Sequence, residues 1–314
     1  MLMTGTWLPE NRAALEDLLR RVGRGGPEYR ADAPPFAVFD WDQTVIRHDI
    51  GDALFLHQIE ALGFALDHDE FWTVLDPSDV TLREQAALLR ELADDARADH
   101  PTFHALREAV LVGFLRSGLL DPQEGFPWQT RLLAGMSEAE IADLTRQAME
   151  KEMAAPLARR EFQAGGQTVH FHTGLRPYAE ILDLMRQLEA HGIAVWIVSA
   201  TKVWAVRVMA EALGVPADRV IGMRTRVAEG RITAELEGEA VATWGKVKAI
   251  QRYIHPTRQP VLVAGDNVTD LPMLEYSADT RLVIDRGVAA LRQVAEDRAA
   301  AGERWLVQPM FDVE

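Results

Sequence analysis

A short apolar run that ends in two acids constrains the fold of this chain more than any other stretch. Residues 36–39, Phe-Ala-Val-Phe, have the length and composition of a buried strand. Asp40 and Asp42 follow that run directly. Side chains two positions apart in an extended backbone point to the same side, so the two carboxylates should lie close together. Like charges avoid such an arrangement unless something compensates them, although acids are also common in a surface turn after a strand.

A second stretch, residues 259–270, repeats this pattern, because an apolar strand is followed by a glycine, Asp266 and Asp270. Another apolar strand lies between the two stretches and ends at Ser199, and Lys246 lies further along the chain. Carboxylates gathered at strand ends suit a hard divalent cation such as Mg²⁺, which is usually held by one or two carboxylates, waters and a substrate phosphate. The combined set offers a nucleophile, a metal site, a hydroxyl donor and a cation for phosphate.

Helical and strand-like segments alternate in the part of the chain after Val169. This alternation predicts an α/β fold, namely a Rossmann-like, doubly wound, mostly parallel sheet with helices on both faces. Such sheets bind ligands at the carboxyl ends of their strands, where the acids and the hydroxyl group fall. Residues 9–22 predict an amphipathic helix packed against this core.

Strand signals are absent between about residues 50 and 162, where helical patterns take their place. The clearest helical segments are residues 53–62, residues 82–92 and a helix that starts at Ser137 with a capping box to Glu140. These patterns predict an all-helical insert over residues 49–165, joined at glycine hinges to a core of residues 1–48 and 166–314. The insert could instead be an independent helical domain.

The chemistry-bearing residues form four motifs, in the order Asp40/Asp42/Thr44, Ser199, Lys246 and Asp266/Asp270. In this order and spacing they resemble the haloacid dehalogenase superfamily, whose motifs are Asp-x-Asp-x-Thr after a strand, a Ser or Thr at a strand end, a Lys, and Gly-Asp-x-x-x-Asp. The superfamily calls a helical insert after the first motif a cap. More narrowly, the chain resembles the phosphoserine phosphatase branch and, within it, the bacterial phosphorylcholine phosphatases. That narrower likeness includes residues 126–128, 133–136, 243–244 and 260–266.

The resemblance implies a Mg²⁺-dependent phosphomonoesterase that forms an aspartyl-phosphate on Asp40. Asp42 would protonate the leaving alcohol and later deprotonate the attacking water. Related dehalogenases lack this second acid, so its presence favours phosphate over carbon–halogen chemistry. Ser199, the amide of Ala200 and Lys246 would hold the phosphate oxygens. Taken alone, such a serine is usually a helix cap and such a lysine is usually solvated.

The resemblance also implies the metal ligands, which are Asp40, the main-chain carbonyl of Asp42, and Asp266. Asp270 is expected just outside the metal ligands, where it orients a water or the motif lysine. Thr44 is expected either to donate to Asp40 or only to cap the following helix. Asp266 and Asp270 have the same alternative role as helix caps.

Asp49 and Asp52 are the residues on which the substrate prediction depends. Phosphoserine phosphatases carry a Glu nine positions after the nucleophile that meets the substrate ammonium, and the phosphorylcholine enzymes resemble this chain more closely, with acids at both spacings. A carboxylate beside an aromatic face suits a quaternary ammonium. Trp41 is the first candidate for that face, followed by Trp72 and Trp128, although tryptophans in such segments are more often core residues. Phosphocholine-like and phosphoserine-like substrates both stay open.

Composition limits the partners of the protein. The net charge of -15 argues against nucleic acid and anionic membranes, since both favour a basic face. The chain has no cysteine, no long apolar run and no apparent signal peptide, so a cytoplasmic location is predicted. The expected partner is a small-molecule phosphomonoester, and the oligomeric state is not predicted. The alternatives are a phosphotransferase of the same fold and a catalytically silent phosphate-binding or interaction module.

Overall fold

Six parallel strands form the centre of the protein. The structure is a computed structural model, and it describes residues 2, 5–76, 81–89, 92, 96–97 and 99–313. The strands of the described chain are β1 (Phe36–Phe39), β2 (Ile46–Arg47), β3 (Ala158–Ala164), β4 (Gln167–Thr173), β5 (Arg176–Pro177), β6 (Ala194–Lys202), β7 (Val220–Met223), β8 (Thr225–Ala228), β9 (Arg231–Leu236), β10 (Leu262–Gly265), β11 (Thr280–Asp285) and β12 (Trp305–Pro309). The central sheet has the order β12-β11-β10-β1-β6-β7.

Helices cover this sheet and form most of the insert. The helices of the described chain are α1 (Pro9–Val22), α2 (Ile50–Ala61), α3 (Asp69–Leu75), α4 (Thr81–Leu88), α5 (Pro101–Gly118), α6 (Pro122–Arg131), α7 (Glu138–Ala154), α8 (Ala179–Ala190), α9 (Val203–Ala212), α10 (Trp244–Tyr253), α11 (Leu271–Glu275) and α12 (Ala289–Ala300). Helix α1 has the predicted bounds, and its apolar face joins the core. Helix α7 begins with the predicted capping box between Ser137 and Glu140.

Alternate residues of β1 pack on opposite faces of the sheet. Phe36 and Val38 belong to one apolar cluster, whereas Ala37 and Phe39 belong to another. A strand that is apolar at every position can therefore bury both of its faces, as the interior strands of parallel sheets do. Strands β7 and β10 are likewise buried along their whole length. The predicted doubly wound, mostly parallel sheet is confirmed.

The insert between β1 and β6 has an apolar core of its own. Phe55, Phe71, Leu106 and Phe171 are among its buried members. Phe171 lies on β4, which pairs antiparallel with β3. Strand β3 falls within the stretch predicted to be all-helical, so that part of the prediction was wrong.

The β3–β4 hairpin also bears on where the insert ends. Gly165 and Gly166 form its turn with positive φ angles, and the predicted boundary falls between them. Strand β4 alternates polar and apolar residues from Thr168 to His172 after this two-glycine turn, which is a hairpin signal in the sequence. Because one hairpin packs as a unit, we propose that the insert extends to Thr173.

One predicted helix lies partly beyond the described residues. Helix α4 ends at Leu88, and residues 90 and 91 of the predicted segment 82–92 lie outside the described part of the chain. Within the described part, no helix is both long and apolar enough to cross a bilayer. The cytoplasmic location stays a prediction.

Candidate active site

The predicted site residues converge at the carboxyl ends of β1, β6 and β10, with β1 between the other two in the sheet. A cavity of about 290 Å³ opens there, bordered on the insert side by residues of α2, α5 and α6. Its lining includes Asp40, Asp42, Asp49, Asp52, Ser199, Ala200, Lys246, Asp266 and Asp270. Two predicted residues, Thr44 and Trp41, are not among the lining residues. The cavity therefore brings together the parts predicted for phosphate chemistry.

Lys246, in the first turn of α10, is the centre of a buried ion-pair network. Its Nζ donates to Asp40 Oδ1 at 2.6 Å and to Asp270 Oδ1 at 2.6 Å. Burial opposes the charge on Lys246, but the two carboxylates outweigh this effect and raise its pKa. Asp270 Oδ2 accepts from the main-chain N–H groups of Asp266 at 3.0 Å and Asn267 at 3.1 Å. Asp270 thus makes the contact with the motif lysine that the sequence predicted.

Three carboxylates could hold a metal ion. One oxygen from each of Asp40, Asp266 and Asp270 lies within 4.8 Å of the others. Thr44 donates to Asp266 Oδ1 at 3.3 Å, and Asp49 rather than Thr44 caps the following helix, so neither of the two roles expected for Thr44 is observed. Arg286, which the sequence did not single out, forms an ion pair with Asp266.

Asp42 has partners outside this carboxylate cluster. Its Oδ1 accepts from the main-chain N–H of Ile50 at 2.8 Å, and its Oδ2 accepts from the hydroxyl of Thr201 at 2.7 Å. The carboxyl group lines the cavity and has a donor on each of its oxygens. Its predicted contribution to the metal is the main-chain carbonyl, which leaves this carboxyl group free of the metal.

Acids outnumber basic side chains in the cavity lining. Six aspartates, at positions 40, 42, 49, 52, 266 and 270, line it with Lys202, Lys246 and Arg286. Burial raises the pKa of Asp40 to about 6, although Lys246 pulls in the opposite direction. Burial and neighbouring carboxylates raise the pKa values of Asp42 and Asp266 well above the usual range. A divalent cation would offset this negative excess, so the donor set fits a hard metal.

Strand β6 continues past Ser199, where the sequence predicted its end, to Lys202. Its register with β7 shifts between Val198 and Lys202, and residues 199–202 all line the cavity. In a regular strand successive side chains alternate between faces, so this irregularity allows four consecutive residues to reach one site. Ser199 Oγ accepts from the main-chain N–H of Thr201 at 3.0 Å, which leaves its own hydroxyl proton for a ligand.

Asp49 and Asp52 line the cavity together, but they are held differently. Asp49 caps α2 by accepting from the main-chain N–H of Asp52 at 3.0 Å. Within the described residues, the Asp52 carboxylate accepts no hydrogen bond, and burial together with Asp49 raises its pKa to about 8. Lys202 Nζ donates to Gly51 O at 3.1 Å and to Gln129 Oε1 at 3.0 Å. Burial lowers the pKa of Lys202 to about 8, against the opposing effect of the nearby acids.

The predicted aromatic faces do not lie in the cavity. Trp41 is completely buried in the core, so its assignment to substrate binding was wrong. Trp72 donates to Leu66 O at 2.8 Å and Trp128 to Val74 O at 3.3 Å, both within the insert. These three tryptophans are structural residues in the described fold.

Several lining residues were missed by the sequence prediction. Phe114 on α5 and Phe126 on α6 supply the aromatic rings that border the cavity. Thr201 and Lys202 directly follow the second motif, and this proximity was an available signal. Arg286 follows the carboxyl end of β11, where the sheet rule would have placed it near the site.

Comparison with known proteins identifies a family and a relative that this chain resembles. The model of the family "haloacid dehalogenase-like hydrolase" matches residues 37–275. A phosphorylcholine phosphatase of Pseudomonas aeruginosa is 25% identical over 268 residues, with coverage of 76% of this chain and 70% of the relative.

Two solved structures support the fold. A conserved protein of unknown function from Anaerococcus prevotii DSM 20548 superposes with a TM-score of 0.80 at 22% identity, over 98% of this chain and 93% of its own. A protein of unknown function from Bordetella pertussis Tohama I superposes with a TM-score of 0.55 at 19% identity, over 87% and 96% of the two chains.

Proposed function

Because the chain belongs to the haloacid dehalogenase-like hydrolase family and is a phosphoric monoester hydrolase, we propose that it cleaves small phosphomonoesters through a covalent intermediate on Asp40, with Mg²⁺ as its cofactor. One observation carries the proposal. Asp40 and Asp42 line the same cavity, but Asp40 contacts a charged lysine whereas Asp42 accepts bonds from a hydroxyl and an amide. Two carboxyl groups in such different surroundings suit different roles, one as nucleophile and one as acid.

Asp40, Asp266 and the main-chain carbonyl of Asp42 would hold Mg²⁺, and Asp270 lies close enough to support it. When bound, the metal would offset negative charge on the phosphoryl group and on the surrounding acids. The donor set is made only of oxygens, as Mg²⁺ prefers.

The residues of the chain provide the remaining steps. An oxygen of Asp40 attacks phosphorus while the bond to the leaving oxygen breaks, and Asp42 donates a proton to that oxygen. In the second half, Asp42 takes a proton from water, whose oxygen attacks phosphorus and releases Asp40. Lys246 and the hydroxyl of Ser199 hold the transferring phosphoryl group and stabilise its charge.

The leaving group that fits this cavity carries a cationic amine. Within the described residues the Asp52 carboxyl group lines the cavity and accepts no hydrogen bond, and Phe114 and Phe126 line the same cavity with aromatic side chains. These features suit a quaternary ammonium through charge and cation–π attraction. Arg47, the nearest basic residue to Asp49 in the sequence and hence a candidate partner for a serine carboxylate, does not line the cavity. Similarity to a phosphorylcholine phosphatase points the same way, so we favour a phosphocholine-like substrate over a phosphoserine-like one.

Phosphate release by the purified protein tests this function. We expect Mg²⁺-dependent hydrolysis of phosphocholine, and we expect Asp40→Asn to abolish it. The exposed helix cap Asp121 provides a matched control, because Asp121→Asn makes the same chemical change away from the cavity. Hydrolysis that persists in Asp40→Asn would exclude Asp40 as the nucleophile. A silent module would release no phosphate from any ester, and a phosphotransferase would pass phosphate to an added alcohol in preference to water.

A further inference from the structure

Thr201, at the end of β6, contacts three parts of the active site. Its Oγ1 donates to Asp42 Oδ2 at 2.7 Å, and its main-chain N–H donates to Ser199 Oγ at 3.0 Å. Its methyl group faces the first turn of α2, because a Cβ added at Gly51 would lie 2.8 Å from Thr201 Cγ2. A β-branched side chain has few χ1 rotamers, and this packing selects one of them. The hydroxyl group is therefore held towards Asp42.

In the described part of the chain, the Asp42 carboxyl group has two hydrogen-bond donors, one on each oxygen. Ile50 supplies a main-chain N–H to Oδ1 at 2.8 Å, and Thr201 supplies its hydroxyl to Oδ2. A carboxyl group held on one oxygen alone can rotate about χ2, since that torsion is broad. Donors on both oxygens fix the plane of the group. Of the two, only the Thr201 contact comes from a side chain.

We infer that Thr201 is a positioning residue that aims the proton-transferring carboxyl group of Asp42 at the leaving oxygen. This inference rests on the proposed function of Asp42. Asp42 must give its proton to the leaving oxygen as the phosphorus–oxygen bond breaks, and then take a proton from the attacking water. Between these transfers it is a carboxylate, and the Thr201 hydroxyl donates to that charged form. The same contact therefore serves both half-reactions.

The main-chain contact with Ser199 allows the effect of Thr201 on proton transfer to be separated from any effect on phosphate binding. Ser199 Oγ accepts from the backbone of Thr201, so a side-chain substitution leaves this bond and the phosphate site in place. Loss of the hydroxyl should then lower proton transfer and leave phosphate affinity unchanged. A general defect in the shape of the site would lower both.

Thr201→Val is the test variant, because valine keeps the β-branched shape and removes only the hydroxyl. kcat/KM reports only the steps up to formation of the aspartyl-phosphate, so it isolates protonation of the leaving oxygen from the water attack that both esters share. We expect kcat/KM for phosphocholine, which has a poor leaving group, to fall roughly ten- to a hundredfold. The acidic leaving group of 4-nitrophenyl phosphate needs little proton donation, so its kcat/KM should fall less than roughly threefold. The inhibition constant of inorganic phosphate should stay within about twofold. Thr201→Ser should restore turnover of phosphocholine, since serine returns the hydroxyl.

Thr225→Val is the matched control. Thr225 is buried and lies outside the cavity lining, and its hydroxyl has no hydrogen-bond partner within the described residues. This variant should keep wild-type rates for both esters. If Thr201→Val fails to fold by circular dichroism, Thr201→Ala is measured in the same way.

The outcomes separate this inference from the proposed function. Hydrolysis of both esters by the wild-type protein, with equal losses of kcat/KM for the two esters in the hydroxyl-free variants, overturns the role of Thr201 and leaves the phosphatase intact. Failure of Thr201→Ser to restore the rate also overturns it. A wild-type protein that hydrolyses neither ester overturns the proposed function and this inference together.

Discussion

Asp52 is placed at a cost to folding, and its replacement should reveal that cost. Burial and Asp49 raise its pKa from 3.8 to about 8, so at pH 7 the folded protein holds a proton that the unfolded chain has released. Because pH 7 lies about 3 units above the unfolded pKa, and each unit is worth 1.36 kcal/mol, this proton uptake costs about 4 kcal/mol at pH 7. Asp52 is only partly buried, so water in the cavity screens part of that cost. An asparagine amide that finds no partner there adds its own penalty. We expect Asp52→Asn to stabilise the ligand-free protein by about 1–3 kcal/mol at pH 7.

The pH dependence gives this prediction its sign. A carboxyl group with a raised pKa stabilises the fold fully below the unfolded pKa of 3.8, and this contribution is lost as pH rises towards about 8. The advantage of Asp52→Asn should therefore be absent near pH 4, grow up to about pH 8, and then level off. Urea unfolding across this range measures it, with Asp121→Asn as an exposed control.

Kinetics of the same variant test the function of Asp52. Asp52 would ionise when it meets the ammonium, so KM for phosphocholine should rise roughly tenfold or more when its carboxyl group is replaced, while KM for an aryl phosphate without a cationic group should be unaffected. Asp49→Asn should raise KM less, because Asp49 already caps α2 and asparagine is also a good cap. A variant that is less stable than wild type at pH 7, or that shows equal KM changes for the two esters, would refute the reasoning.

Three further predictions concern the ion-pair network, the metal and the core. Lys246→Met should destabilise the protein by about 3–5 kcal/mol at pH 8, because it leaves Asp40 and Asp270 without their cation. The loss should shrink at pH 5, below the Asp40 pKa of about 6, and urea unfolding at both pH values checks this. Mg²⁺ should raise Tm more at pH 8 than at pH 5, since protons compete for Asp40, and EDTA should reverse the shift in calorimetry. Trp41→Phe should cost about 1–3 kcal/mol in unfolding experiments and leave KM for phosphocholine unchanged, because Trp41 is a core residue.

The phosphate end of the cavity could be predicted because sheet geometry gathers it. Asp40, Ser199 and Asp266 each follow an apolar strand, and in a parallel sheet those strand ends meet at one edge. The same geometry argues against Trp41 as a substrate contact. If Asp40 and Asp42 point to one side of the chain, the residue between them points to the other side, into the core. The prediction for Trp41 relied on its closeness to the acids in the sequence and neglected the alternation of side chains along a strand.

The residues after Ser199 show why the local sequence pattern did not predict every residue that lines the cavity. An uninterrupted strand would send Thr201 and Lys202 to opposite faces, yet the register shift beside β7 lets both line the cavity. No turn residue marks this irregularity, since the segment reads Ser-Ala-Thr-Lys without glycine or proline. The position of Lys202 depends on its partners Gly51 and Gln129, which are distant in the sequence, so the local pattern around Lys202 does not predict it.

The leaving-group end of the cavity is built by tertiary packing between the core and the insert. Phe114 and Phe126 come from two different helices, and Asp52 comes from a third. These residues share no motif spacing, because each helix is oriented by the separate apolar core of the insert. Helix periodicity identifies which residues face that core, but it does not specify how the helices meet the sheet. The chemistry of phosphate transfer can therefore be inferred from strand ends, whereas the choice of alcohol depends on contacts that exist only after the insert has packed over them.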